Sequence, residues 1–270
     1  MIYFICFIHK IRITPISING VIKMFITINK RTLIYIFSAL LAAGIFIVGL
    51  SIKEARDDIE KSLPVMSPHD LTILIDAGHG GADGGASANG LTEKDINLSV
   101  ALKLKDKIEQ NGGSVTMTRD GDYSTADENR TDGTSAKKSD LKRRREMVSE
   151  SGANMFVSIH MNKFPQEKYW GAQVFYADTP DSSQKLGEAI QSALPRILND
   201  GNERTAKKTN GSIYILKNAS VPSVIVECGF LSNPNEAERL KSDDYQTQLA
   251  DAIFEGICDY LKTADVTQDA

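Results

Sequence analysis

Cysteine is nearly missing: Cys6, Cys228 and Cys258 in 270 residues, an odd number without a CxxC pair, which excludes a disulfide scaffold and a cysteine-type zinc cage. Any metal therefore needs histidine and carboxylate ligands. Positive charge is also short. A formal net charge of −4 leaves no broad field for holding a phosphate backbone, so nucleic acid is not an expected partner. Internal repeats are absent, and 41% apolar with 24% charged residues excludes wholesale disorder and a polytopic membrane protein. Long hydrophobic runs are scarce as well, with one exception near the N-terminus.

That exception is residues 33–52, LIYIFSALLAAGIFIVGLSI, an uncharged run of about the 20 residues that a helix needs to span a hydrocarbon core. Lys30 and Arg31 precede it, and with Lys10, Arg12 and Lys23 they mark residues 1–32 as cytoplasmic by the positive-inside bias. The small residues lie inside the run rather than after it, which favours an uncleaved anchor over a cleaved signal. The remainder is then expected outside the membrane, or secreted if cleavage occurs. Met24 is a second candidate start. Residues 53–70 carry two prolines and many charges, as a tether does, and His69 within them has no expected role.

From residue 71 short apolar runs alternate with amphipathic stretches, which predicts an α/β domain over 71–262 with a mostly parallel sheet of about six strands flanked by helices, and a tail at 263–270. The expected strands are 71–76, 114–119, 155–160, 172–177, 212–216 and 223–228. Helices are expected from Ile96 to the glycine stop at Gly112, and over 140–151, 181–198 and 246–261. Residues 120–139 are polar and predict a surface loop, either an insertion or a cleft wall.

Three of the expected strands lead into chemistry: LTILID into AGHGG with His79, MFVSI into His160, and SVIV into Glu227. Ligands collect outside the carboxyl ends of strands in open α/β sheets, so these side chains can converge. Glu93, in GLTEKD, sits at a helix start near the same edge, where its bland role is an acid favoured by the helix dipole. Two imidazoles and two carboxylates match a zinc hydrolase: three ligands, an open position for water, and a general base.

The ordered blocks IDAGHGGADGGA, LTEKD, DLKRRREM, FVSIHMN and VECGFLSNP resemble the zinc-dependent N-acetylmuramoyl-L-alanine amidases that cut bacterial peptidoglycan, over essentially 71–262. The resemblance implies that His79, Glu93 and His160 bind Zn2+, that Glu227 is the catalytic carboxylate, and that Arg144 is structural. Cys228 departs from the family, which usually has an aliphatic residue there; a small buried thiol packs similarly. Within the family the resemblance is to the small germination-specific amidases of endospore formers, the CwlD type, which implies removal of stem peptides from spore cortex on the way to muramic δ-lactam. It places the enzyme on the outer face of the cytoplasmic or forespore membrane. A housekeeping wall amidase, a zinc peptidase of the stem peptide and a catalytically silent wall-binding module are the competing readings. With no wall-binding repeat present, an exported accessory protein is a further expected partner.

Overall fold

Near-continuous apolar runs put apolar side chains on both faces of a strand and must bury both, and from residue 71 they do. The computed structural model describes residues 11–18, 21–28, 30–31, 33–46, 71–131, 133–211 and 213–265, divided into two units, Met1–Pro64 and Val65–Ala270.

In the first unit, β1 (Ile11–Ile18) and β2 (Val21–Ile28) pair antiparallel. The isoleucines change parity at Pro15, from 11 and 13 to 16 and 18, which hides the strand from a period-two search. Residues 33–46 form α1, with large apolar side chains such as Phe37 and Phe46 exposed. Among the described residues no helix is long and apolar enough to cross a membrane. The last part of the expected span, 47–52, and the expected tether at 53–70 with His69 lie outside the described residues, as do 266–270 of the expected tail.

In the second unit β3 (Thr72–Ala77), β6 (Ser114–Met117), β7 (Met155–Asn162), β8 (Gln173–Tyr176), β9 (Lys207–Lys208) and β10 (Ser223–Phe230) form one sheet in the order β6-β3-β7-β10-β8-β9. Every pair is parallel except β8 against β10. The side chains of Ile73, Ile75, Val157, Ile159, Val224 and Val226 are buried in one cluster with residues of α2 (Glu93–Gln110), α4 (Ser182–Leu198) and α6 (Asp243–Asp265). Leu74, Phe156 and Ile225 have the opposite parity and pack with Val148 of α3 (Ala136–Glu150) and with Ile215 and Leu216. Period-two burial on both faces is what a helix-covered parallel sheet requires.

One expected strand is corrected. Residues 212–216 were expected in the sheet, but Tyr214–Leu216 form a 3-10 turn, and the sixth strand is the lysine pair of β9. Ile215 and Leu216 bury themselves against the α3 face instead, so tertiary packing overrides the β-branched preference. Two short elements escape the sequence reading. Asn89-Gly90, both at positive φ, turns β4 (Ser87–Ala88) into β5 (Leu91–Thr92). Asn233 accepts from the backbone N–H groups of Asn235 and Glu236 and starts α5 (Pro234–Leu240), with proline at its first turn.

Candidate metal centre and cleft

The parallel strands deliver their last residues to one rim. His79 follows β3, His160 lies near the end of β7, and Glu227 pairs in register with His160 across β10. Glu93 arrives from the first turn of α2, just past the β4–β5 hairpin. One carboxylate oxygen gathers the set: Glu93 Oε1 lies 3.3 Å from His79 Nε2 and 2.8 Å from His160 Nδ1. One ligand atom from each of the three residues lies within 4.8 Å of the others. Glu93 is held by its remaining bonds, accepting from Ala86 N at 2.7 Å, Met161 N at 3.2 Å and Asn97 Nδ2 at 3.4 Å.

Electrostatics show what the cluster calls for. Burial pushes the Glu93 carboxyl up, yet hydrogen bonds from His160 and His79 outweigh it and hold the acid well below the usual carboxylate range. Burial disfavours charge on His79, but Glu93 and Asp83 raise its affinity for a proton. A buried anion that raises the proton affinity of His79 marks a site that accepts positive charge, and a His, Glu, His donor set fits a divalent zinc-like cation with a position left open. The second ring nitrogen of His79 is 3.0 Å from Asp83 Oδ2, the carboxylate support that fixes the orientation of a ligating histidine. Asp83 was missed in the sequence; its i+4 spacing from His79 was the available signal.

Backbone placement explains the glycine-rich bend. His79 itself takes φ 63°, uncommon for a non-glycine residue. It is secured by two buried arginines. Arg144 donates to the His79 carbonyl at 2.6 Å and the Ala77 carbonyl at 2.9 Å, and Arg119 donates to the carbonyls of Ala77, Gly78 and Lys94 at 2.7, 3.0 and 2.8 Å. Arg144 also pairs with Asp76 Oδ1 at 2.5 Å and Asp140 Oδ2 at 2.6 Å. Asp140 in turn accepts from Thr125 N at 2.7 Å, tying the polar loop to α3 beside the cleft. Gly78 is required by close approach: a Cβ there would lie 2.3 Å from the His160 ring. Gly78→Ala should therefore keep the fold but displace His160 and weaken metal binding about 10–100-fold, read by competition with a chromogenic chelator.

Glu227 differs from its neighbours. Its Oε2 is buried with no hydrogen-bond partner, and burial raises its pKa, with the Glu93 charge adding and the two imidazoles opposing. It lines a cleft together with His79, His160 and Arg144 and with Ile213, Tyr214 and Ile215. The displaced 3-10 turn thus supplies an apolar wall that the sequence reading assigned to the sheet. Cys228, next along β10, is fully buried, and burial pushes its thiol up, so it packs as an apolar residue.

A family model described as N-acetylmuramoyl-L-alanine amidase matches residues 73–259. The germination-specific N-acetylmuramoyl-L-alanine amidase of Bacillus subtilis (strain 168) is 39% identical over 189 residues, covering 70% of this chain and 79% of that protein. Among solved structures, the CwlD amidase from Clostridioides difficile in complex with the GerS lipoprotein is 46% identical with a TM-score of 0.68, covering 72% of this chain and 99% of that one. N-acetylmuramoyl-L-alanine amidase AmiC2 of Nostoc punctiforme is 31% identical with a TM-score of 0.62, covering 73% and 99%.

Proposed function

The chain belongs to the N-acetylmuramoyl-L-alanine amidase family, and from that premise we propose that it uses zinc, held by His79, Glu93 and His160, to hydrolyse the amide between N-acetylmuramic acid and L-alanine, with Glu227 as the base. The observation that carries this is the convergence of one donor atom from each of the three residues within 4.8 Å, beside a buried carboxylate oxygen without a partner. When bound, zinc polarises the scissile carbonyl and lowers the pKa of the attacking water. Asp83 keeps the His79 ring oriented, and Arg144 and Arg119 keep its backbone in place. Glu227 takes the proton from the water and returns it to the alanine nitrogen as the C–N bond breaks. Ile213 and Ile215 keep bulk water from that carboxylate.

Likeness to germination-specific relatives supports a role in spore cortex, where the exposed muramic acid becomes available for conversion to muramic δ-lactam. Residues 33–52 then serve as an export anchor that leaves the enzyme on the outer face of the membrane. An exported lipoprotein is the accessory partner this reading includes, because a structural neighbour was solved with one.

The deciding experiment mixes the purified protein and zinc with defined peptidoglycan and identifies the fragments by mass spectrometry. Stem peptides with a free N-terminal alanine, lost on chelation, are expected. A cut inside the stem peptide would make the enzyme a peptidase, and peptidoglycan left intact with zinc bound and an exported accessory lipoprotein supplied would remove the assignment. His79→Ala and His160→Ala should each lose bound metal together with activity.

A further inference from the structure

We propose that Phe164, Tyr169 and Trp170 form a shelf that stacks on sugar rings of the glycan strand, holding the polysaccharide beside the cleft where its stem peptide is cut. The proposal rests on the amidase reading and adds a glycan subsite to it. Three large aromatic side chains stand 43%, 37% and 43% exposed within seven residues, a cost that a solvated loop does not require. The loop leaves β7 two residues after His160 and enters β8 at Gln173, which pairs with Glu227. His160, Glu227 and Gln173 thus occupy one row across β7, β10 and β8. The β7–β8 separation is two strand spacings, roughly 10 Å, so the shelf adjoins the site along the same rim.

The loop is pinned. Phe164 N donates to Ser232 Oγ at 3.0 Å, Asn233 Nδ2 to the Glu167 carbonyl at 2.8 Å, and Gly171 N to Glu236 Oε1 at 3.1 Å. Phe164 meets Tyr169 edge to face at 4.7 Å, and Tyr169 lies 6.4 Å from Phe230, whose other neighbour is the Arg204 guanidinium at 4.9 Å. A platform ordered before binding loses little entropy when it binds. Its chemistry favours sugar over peptide. A peptide needs free donors and acceptors, but Arg204 is occupied by the Trp170 carbonyl and Gln173 Oε1, and Asn202 Nδ2 by the Ala172 carbonyl. Ring surface dominates what remains, with the exposed Lys168 and Glu203 beside it to meet hydroxyl groups, and pyranose rings present C–H faces of matching polarity; aromatic bodies with a polar tip suit such amphipathic ligands.

Trp170 is the single tryptophan of the chain, so its fluorescence reports the shelf directly. Peptide-free glycan chains titrated into the full-length protein should shift its emission saturably. Tyr169→Ala should weaken that titration roughly tenfold. With polymeric peptidoglycan, Trp170→Ala should raise KM about tenfold at near-native kcat, Trp170→Tyr should restore KM, and a single muramoyl peptide should be cut equally by all three proteins. An emission unmoved by glycan, or moved by free stem peptide instead, overturns the proposal. Failure of the unaltered protein to cut the muramoyl peptide would instead refute the amidase reading, leaving the fluorescence result to decide the shelf.

Discussion

Glu227→Gln should lower turnover by on the order of 10²–10⁴-fold while leaving the metal content unchanged. The substitution keeps the shape of the side chain and removes its capacity to take a proton. Glu227 stands one strand away from His160 in register, touching the cleft but outside the gathered set of His79, Glu93 and His160. Its burial, which raises the pKa, makes the ionised form costly and a good proton acceptor. That cost bears on stability too. Replacing a buried ionisable group with a neutral amide should leave the melting temperature equal or higher, the usual trade between function and stability. Full turnover in this variant would exclude Glu227 as the base, and loss of metal would make it a ligand instead.

Arg144→Met should destabilise the domain by about 3–5 kcal/mol, because it strands a buried carboxylate. Asp76 is 1% exposed; burial pushes its pKa up, but Arg144, His160 and the hydroxyls of Ser158 and Thr118 together bring it below the ordinary value. Asp140 is lowered too, burial again being outweighed by Arg144. Both groups therefore stabilise the native protein fully above the unfolded carboxylate pKa near about 4, and lose that contribution as pH falls through their folded values. In the methionine variant the sign reverses at Asp76. Without its guanidinium the acid is left with a burial penalty, so protonation relieves the strain and the deficit in melting temperature should shrink as pH falls from 7 towards about 4. A deficit independent of pH would show that Arg144 acts through packing alone. Metal affinity should fall in parallel, since the same side chain grips the His79 carbonyl.

The sheet and the rim were legible because both rest on patterns close in sequence. LTILID, MFVSIH and SVIVEC are apolar runs buried almost throughout, their side chains alternating between the two covered faces, and each leads to a residue of the rim. Glu93 was ambiguous for a physical reason: it is an acid in the first turn of α2 and a member of the gathered cluster, so the bland and the functional expectations describe the same residue. Arg119 gave no signal, since its partners are backbone carbonyls from three segments, which no residue pattern encodes. Tyr214–Leu216 misled because aromatic and apolar side chains suit any half-buried surface, and here the surface that Ile215 and Leu216 meet is that of α3 rather than a neighbouring strand.

The open side of the sheet carries a consequence for the protein's life at high concentration. β9 is two residues long and both are lysine, exposed at the end of the strand order. An unpaired strand edge is a template on which another chain can add itself, and short length with positive charge is how such an edge is blunted. Two copies that met there would bring lysine against lysine. The residues that replace the apolar run in the sixth position thus discourage association through this edge of the sheet.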